Sequence, residues 1–170
     1  DKFQDINTLD QLKLMMAGQG HDWPDTHILK ANGLPVVTSP SYNRLFDMLN
    51  NLRFDYFPRG IQEPWVEVNS HLNMNLVVES SLMLKYRAPI YFFVNAKNHS
   101  LADRIERGLR LAINDGSFDR HFYNSPVNRD IFTLEKMKGR KIFELNNPLL
   151  SAKTPINDKS LWFDDNDLAN

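Results

Sequence analysis

Asp55 stands inside the aromatic run Phe54, Asp55, Tyr56, Phe57, where a carboxylate buried without a partner would cost several kcal/mol. Two kinds of partner are open to it. One is Arg53, Arg59 or a loop N–H of the chain itself, and the other is the ammonium or hydroxyl of a ligand. Arg59 and Glu63 lie four apart with Gly60 between them. As a surface ion pair they would contribute about 0.5 kcal/mol, which leaves Arg59 a structural, inter-lobe or ligand-contacting role. His21, Asp22, Asp25 and His27 are metal-ligand types, yet on a helix starting near Asp22 the residues Asp25 and His27 diverge. Asp22 and Asp25 fit better as charges that complement a helix N-terminus. Gly18 and Gly20 begin a dinucleotide-like pattern, but its third glycine position is Trp23. Two readings of the pair stand: close backbone approach to a small ligand before a helix, or a plain tight turn. Ser39 and Ser41 have no histidine in a recognisable catalytic arrangement, and residue type alone recommends Asp55 with Glu63 as an acid pair.

Three successive units must position these residues, each an apolar run, a polar or glycine-rich turn and a segment of helical spacing. The first predicts a strand over 12–17, a turn at 18–20 and a helix over 22–32, with Asp22 as cap, Pro24 in the first turn and Gly33 as terminator. The second predicts a strand over 34–38, Ser39 as cap and a helix with Tyr42, Leu45, Phe46, Leu49 and Leu52 on one face. The third predicts a strand over 53–57, a turn at 58–60 and a helix striped by Ile61, Trp65, Val68 and Leu72, with Pro64 near its start. A strand over 75–79 follows. Such units favour a largely parallel sheet flanked by helices, with ligands beyond the carboxyl ends of the strands. Gly20, Ser39 and Asp55 are therefore expected to converge on one cleft.

Beyond residue 79 the rhythm changes. Residues 88–96 are the most strand-like run of the chain. They lead to a long helix with Ser100 as cap, Asp103 three residues on, and a packed stripe of Leu101, Ile105, Leu109 and Ile113. Asp115 to Ser117 ends that helix. Helices over 118–123 and 129–138, a strand over 141–145 and an acidic tail complete the prediction.

The 170 residues offer room for one ordinary domain, or a domain and part of another, and 42% hydrophobic residues with eleven Phe can build a core. Twenty Lys and Arg against 21 Asp and Glu leave a charge of -1, which removes the electrostatic reason to expect nucleic acid as a partner. No stretch reaches the roughly 18 to 20 apolar residues of a membrane-spanning helix. The absence of Cys excludes disulfides, thiolate catalysis and Cys-based metal sites. Beginning at Asp1, the chain reads as a processed or truncated product.

Five segments in order carry a resemblance: DINTLDQLK at 5–13, GQGHDWPDTHILKANGLPVV at 18–37, YNRLFDMLNNLRFDYFPRGIQEPWVE at 42–67, APIYFFVNAKNHSLADRIERGLRLAINDGSFDRHF at 88–122 and ELNNPLLSAKTPINDKSLWF at 144–163. Together they resemble the second lobe and C-terminal return of bacterial type II periplasmic solute-binding proteins of the amino-acid-binding family 3. The resemblance implies an α/β clamp of two lobes. Here residues 1–87 would be the second-lobe ligand-binding domain, 88–150 the hinge strand and helical segments returning to the first lobe, and 151–170 a tail. It implies capture of a small polar solute such as an amino acid, without catalysis or cofactor, in a periplasmic or other extracytoplasmic space. An ABC permease or an attached sensor module would be the partner. Gly20, His21, Asp22 and Trp23 would form the first cleft loop, Asp55 would hold the ligand's amino group, and Tyr91 would lie near the hinge. Ser39 and Arg59, from the other strand ends, complete the expected ligand-binding set. A sensor domain of the same fold and an α/β enzyme using Asp55 and Glu63 are the alternatives. A homo-oligomer is also expected, because a lobe without its usual neighbour exposes strand edges and apolar surface.

Overall fold

In the structure, a computed structural model that describes residues 2–129 and 139–163, Ala17–Gly20 forms strand β1. The two glycines make a strand rather than the expected turn, because their segment pairs with Val37 and Ser39, and they are glycines because aromatic rings lie directly on their backbone. A Cβ would fall 2.2 Å from the Phe54 ring at Gly18 and 2.3 Å from the Trp23 ring at Gly20. Ala17 and Gln19, on the alternate positions, are both buried. β1 pairs in parallel with β2 (Val36–Ser39), Ala17 opposite Val36 and Gly20 opposite Ser39. Tyr56 adds an isolated parallel bridge to Ala17, so 53–57 touches the sheet without becoming a third strand. The expected strand over 12–17 is instead the end of helix α1 (Leu9–Leu12), a turn and the first residue of β1.

Local signals set the helices. Thr8 caps α1 through a capping box with Gln11. Helix α2 (Pro24–Ala31) starts on a proline whose missing N–H is not needed there. Its N-cap is Trp23, which makes no side-chain cap bond, so Asp22 is not the cap. It ends in a Schellman turn: Gly33, at φ 79°, donates its N–H to Lys30 O, and Leu34 donates to Leu29 O. Helix α3 (Tyr42–Asn50) is capped by Ser41, whose Oγ accepts the Arg44 N–H, while Ser39 closes β2. Leu45 and Phe46 are buried on its inner face, whereas Leu52 lies past its end and is exposed. Helix α4 (Pro64–Ser70) stops short of Leu72, which is also exposed.

The contacts divide the chain into two units, Asp1–Ala88 with Lys138–Thr154, and Pro89–Met137 with Pro155–Asn170. In the first, β3 (Leu82–Lys85) replaces the strand expected at 75–79 and pairs in parallel with β4 (Lys141–Glu144). The stretch 138–154 thus returns to the first unit instead of staying with 88–137. Leu12, Ala17, Ile28, Leu29, Leu34, Leu82 and Leu145 join in one aliphatic core. Each full burial of a Leu or Ile contributes about 1.5–3 kcal/mol. On the glycine side of β1 the Phe57 ring meets Phe46 and Phe54 edge to face.

In the second unit, α5 (His99–Asn114) is capped by Asn98, whose Oδ1 accepts the Leu101 N–H, rather than by Ser100. Gly116, at φ 73°, leads into α6 (Ser117–Asn124), followed by α7 (Pro126–Arg129). Of the helix expected over 129–138, residues 130–138 lie outside the described residues. No strand forms over 88–96, where Ile90, Phe92 and Phe93 are exposed. Strand propensity does not by itself provide partners for backbone N–H and C=O groups. Every buried residue among those described belongs to the first unit. No helix among the described residues is long and apolar enough to cross a membrane.

Candidate functional site

Because β1 and β2 run parallel and in register, Gly20 and Ser39 end side by side, and the His21 N–H donates to Ser39 O at 3.0 Å. After β1 the chain turns with Trp23 N–H donating to Gly20 O, and the buried Thr26 hydroxyl donates to the same carbonyl at 2.7 Å. After β2, Ser39 Oγ accepts the Ser41 N–H at 3.2 Å and donates to Ser41 O at 3.1 Å. These turns enclose a cavity of about 120 Å³ lined by Gly20, His21, Asp22, Trp23, Ser39, Pro40 and Tyr42. His21 Nδ1 lies 3.3 Å from Thr38 Oγ1, and both His21 and Asp22 keep exposed side chains. A larger trough of about 620 Å³ follows the outside of α3, but every residue lining it except Met48 is exposed.

Arg59 does not line the cavity; it fixes two rings that do. Its Cζ lies 5.0 Å from the Trp23 ring centroid, 5.0 Å from Phe57 and 5.5 Å from Tyr42. Arg59 Nε donates to both Glu67 oxygens at 3.0 Å, its terminal nitrogen reaches Glu67 Oε1 at 2.8 Å, and Glu63 Oε1 is 2.9 Å away. Side-chain exposure of 13% for Arg59 and 12% for Glu67 shows that this is no solvated surface pair. Tyr42 donates its hydroxyl to Glu67 Oε1 at 2.6 Å. Gln19 Nε2 donates to Pro58 O at 2.9 Å and so ties the residue before Arg59 to β1. Burial opposes the Arg59 charge, but the Glu67 bonds and the Glu67 and Glu63 charges outweigh it and raise its pKa. Burial first, then the Glu67 carboxylate, pushes the Tyr42 hydroxyl up to about 12.

Asp55 lies at the other edge of the sheet. Its Oδ2 accepts the Met16 N–H at 2.8 Å, its own N–H donates to Met16 O at 2.8 Å, and Lys2 Nζ is 3.6 Å from Oδ1. Met16 precedes β1, so Asp55 sits at the amino edge, and four steps of extended chain, about 13 Å, separate Met16 from Gly20. The expected convergence of Gly20, Ser39 and Asp55 is therefore corrected: the parallel bridge of Tyr56 to Ala17 places the preceding residue level with Met16. Glu63 accepts the Gly60 N–H at 2.6 Å and pairs with Arg59, so it forms no acid pair with Asp55. Tyr91 belongs to the second unit, in the segment without a strand. Asp25 accepts the Tyr86 hydroxyl, and no group of three or more His, Asp or Glu among the described residues could hold a metal ion.

Of the expected set, Gly20, His21, Asp22, Trp23 and Ser39 are brought together, Arg59 stands behind them, and Asp55 and Tyr91 are elsewhere. Sequence reasoning missed Pro40, Tyr42 and Glu67 as parts of the site. The spacing of Arg59, Glu63 and Glu67 by fours was the available signal for Glu67.

No family model, no curated protein and no solved structure matches the chain. Fold and site together define an α/β protein with a small cavity, part polar and part aromatic, at the carboxyl ends of two parallel strands.

Proposed function

We propose that the first unit captures a small polar solute, such as an amino acid, without transforming it, as a solute-binding domain of an ABC-type importer in an extracytoplasmic space. The observation that carries this reading is the cavity at the ends of β1 and β2, where backbone at two helix starts, the polar groups of His21 and Asp22 and the rings of Trp23 and Tyr42 surround one space. Polar groups there can fix a solute's orientation while the rings supply apolar contact. A volume of about 120 Å³ suits a head group of a few heavy atoms. The serine hydroxyl in its lining, Ser39 Oγ, is bonded to the backbone of Ser41, an arrangement that holds a turn rather than primes a nucleophile.

A thermal-shift screen against amino acids, polyamines and small organic acids tests the reading, since a ligand that binds only the folded state raises the melting midpoint. One solute class should give a concentration-dependent rise, and His21→Ala, at an exposed position, should weaken that response while leaving the unliganded midpoint in place. A flat response across the panel, repeated by titration calorimetry, overturns it.

A further inference from the structure

Three rings and two carboxylates of the first unit surround one cation, and that cation is the chain's own. The Arg59 guanidinium lies over Trp23, Phe57 and Tyr42 at 5.0 to 5.5 Å and forks onto Glu67, with Glu63 beside it. Aromatic faces combined with a forked carboxylate are the features by which proteins recognise free alkylguanidinium and related organic cations. The elements converge from four places: the turn after β1 brings Trp23, α3 brings Tyr42, the 53–57 segment ends in Phe57, and α4 with its preceding turn brings Glu67 and Glu63. Glu67 Oε1 also accepts the Tyr42 hydroxyl, so one carboxylate holds both the cation and a ring whose centroid is 5.5 Å from it.

We propose that Trp23, Tyr42, Phe57, Glu63 and Glu67 form an organic-cation site whose resident ligand is Arg59, and that this occupancy bars organic cations from the cavity rings of the native chain. A second cation brought to Trp23 or Tyr42 meets the Arg59 guanidinium already 5.0 and 5.5 Å from those ring centroids, while the carboxylates that would offset it are bonded to Arg59. The cage stands on geometry alone. Its meaning for specificity rests on the solute-binding reading: the solute presents an uncharged or anionic group to Trp23 and Tyr42.

Arg59→Ala opens the cage. At about 10 mM, methylguanidinium chloride should raise the melting midpoint of Arg59→Ala by several degrees above an equal concentration of sodium chloride, and methylammonium should do less. Neither salt should move the native protein. If Arg59→Ala does not fold in sodium chloride, its refolding yield with each salt, read by circular dichroism, replaces the midpoint. Equal responses to methylguanidinium and sodium chloride, in midpoint or yield, overturn the cage. A rise of the native protein with methylguanidinium or putrescine that disappears in Trp23→Leu overturns the exclusion. Rescue of Arg59→Ala combined with no solute response of the native protein supports the cage and sinks the solute-binding reading alone.

Discussion

At Asp55 side chain and main chain both bond to Met16, 39 residues away, and so clip the aromatic segment to the start of β1. Removing the carboxylate leaves the Met16 N–H without its acceptor. Asp55→Ala should then cost about 1–2 kcal/mol in urea denaturation, with solute affinity unchanged once the folded fraction is accounted for. Asp55→Asn keeps an oxygen at that place and should cost less. An affinity loss at intact stability would put Asp55 back in the binding site. That the carboxylate needed a partner was legible from its aromatic neighbours. Which partner it takes was not, because Arg53 and Arg59 are near in sequence whereas Met16 is brought in only by strand pairing.

Among the elements, α2 and α3 end with the same pair of hydrogen bonds but with different residues at the left-handed position. Gly33 fills it after α2, and Leu52, at φ 55°, fills it after α3, with Leu52 N–H donating to Leu49 O and Arg53 N–H to Met48 O. A side chain there is strained, and at an exposed position nothing offsets the strain through packing. Leu52→Gly should therefore stabilise the protein by about 0.5–1 kcal/mol, read as a higher urea midpoint at unchanged slope; a lower midpoint would show that Leu52 packs in solution. Helix α5 makes the opposite point. Its stripe is legible, yet Leu109 is only half-buried, whereas Leu29 of α2 is 1% exposed. Leu29→Ala should cost about 2–5 kcal/mol and Leu109→Ala about 1 or less, and equal losses would mean that α5 is covered in solution.

Across the whole molecule, three tyrosines couple stability to alkaline pH, and all three belong to the first unit. Burial raises the hydroxyl pKa of Tyr42, Tyr56 and Tyr86 above the ordinary 10, reinforced by Glu67 at Tyr42, Asp55 at Tyr56 and Asp25 at Tyr86. Below pH 10 the hydroxyls are protonated in both folded and unfolded chains, and their contribution is fully present. As pH rises through that value the unfolded chain loses its protons first, so stability falls, through about 12 for Tyr42 and further for the other two. Tyr42 is partly exposed and contributes least. Urea midpoints should fall steeply above pH 10, and Tyr86→Phe should flatten the fall; a midpoint that stays level while tyrosinate absorbance grows would contradict the coupling.

The sequence by itself determined the α/β class, the presence of α2, α3 and α5, the glycine that ends α2, and the loop of Gly20 to Trp23 beside Ser39. Those signals are local: helical spacing, prolines at first turns and a glycine at a left-handed position act within a few residues. The strands expected over 34–38 and 141–145 form as Val36–Ser39 and Lys141–Glu144, but only the tertiary structure decided the other strands and every pairing. A strand exists by pairing with residues far along the chain, so 17–20 became one beside Val36–Ser39, 141–144 found Leu82–Lys85, and 88–96 found no strand partner. The same pairing set Asp55 at the amino edge of the sheet and left Trp23, Tyr42 and Arg59 together at the other.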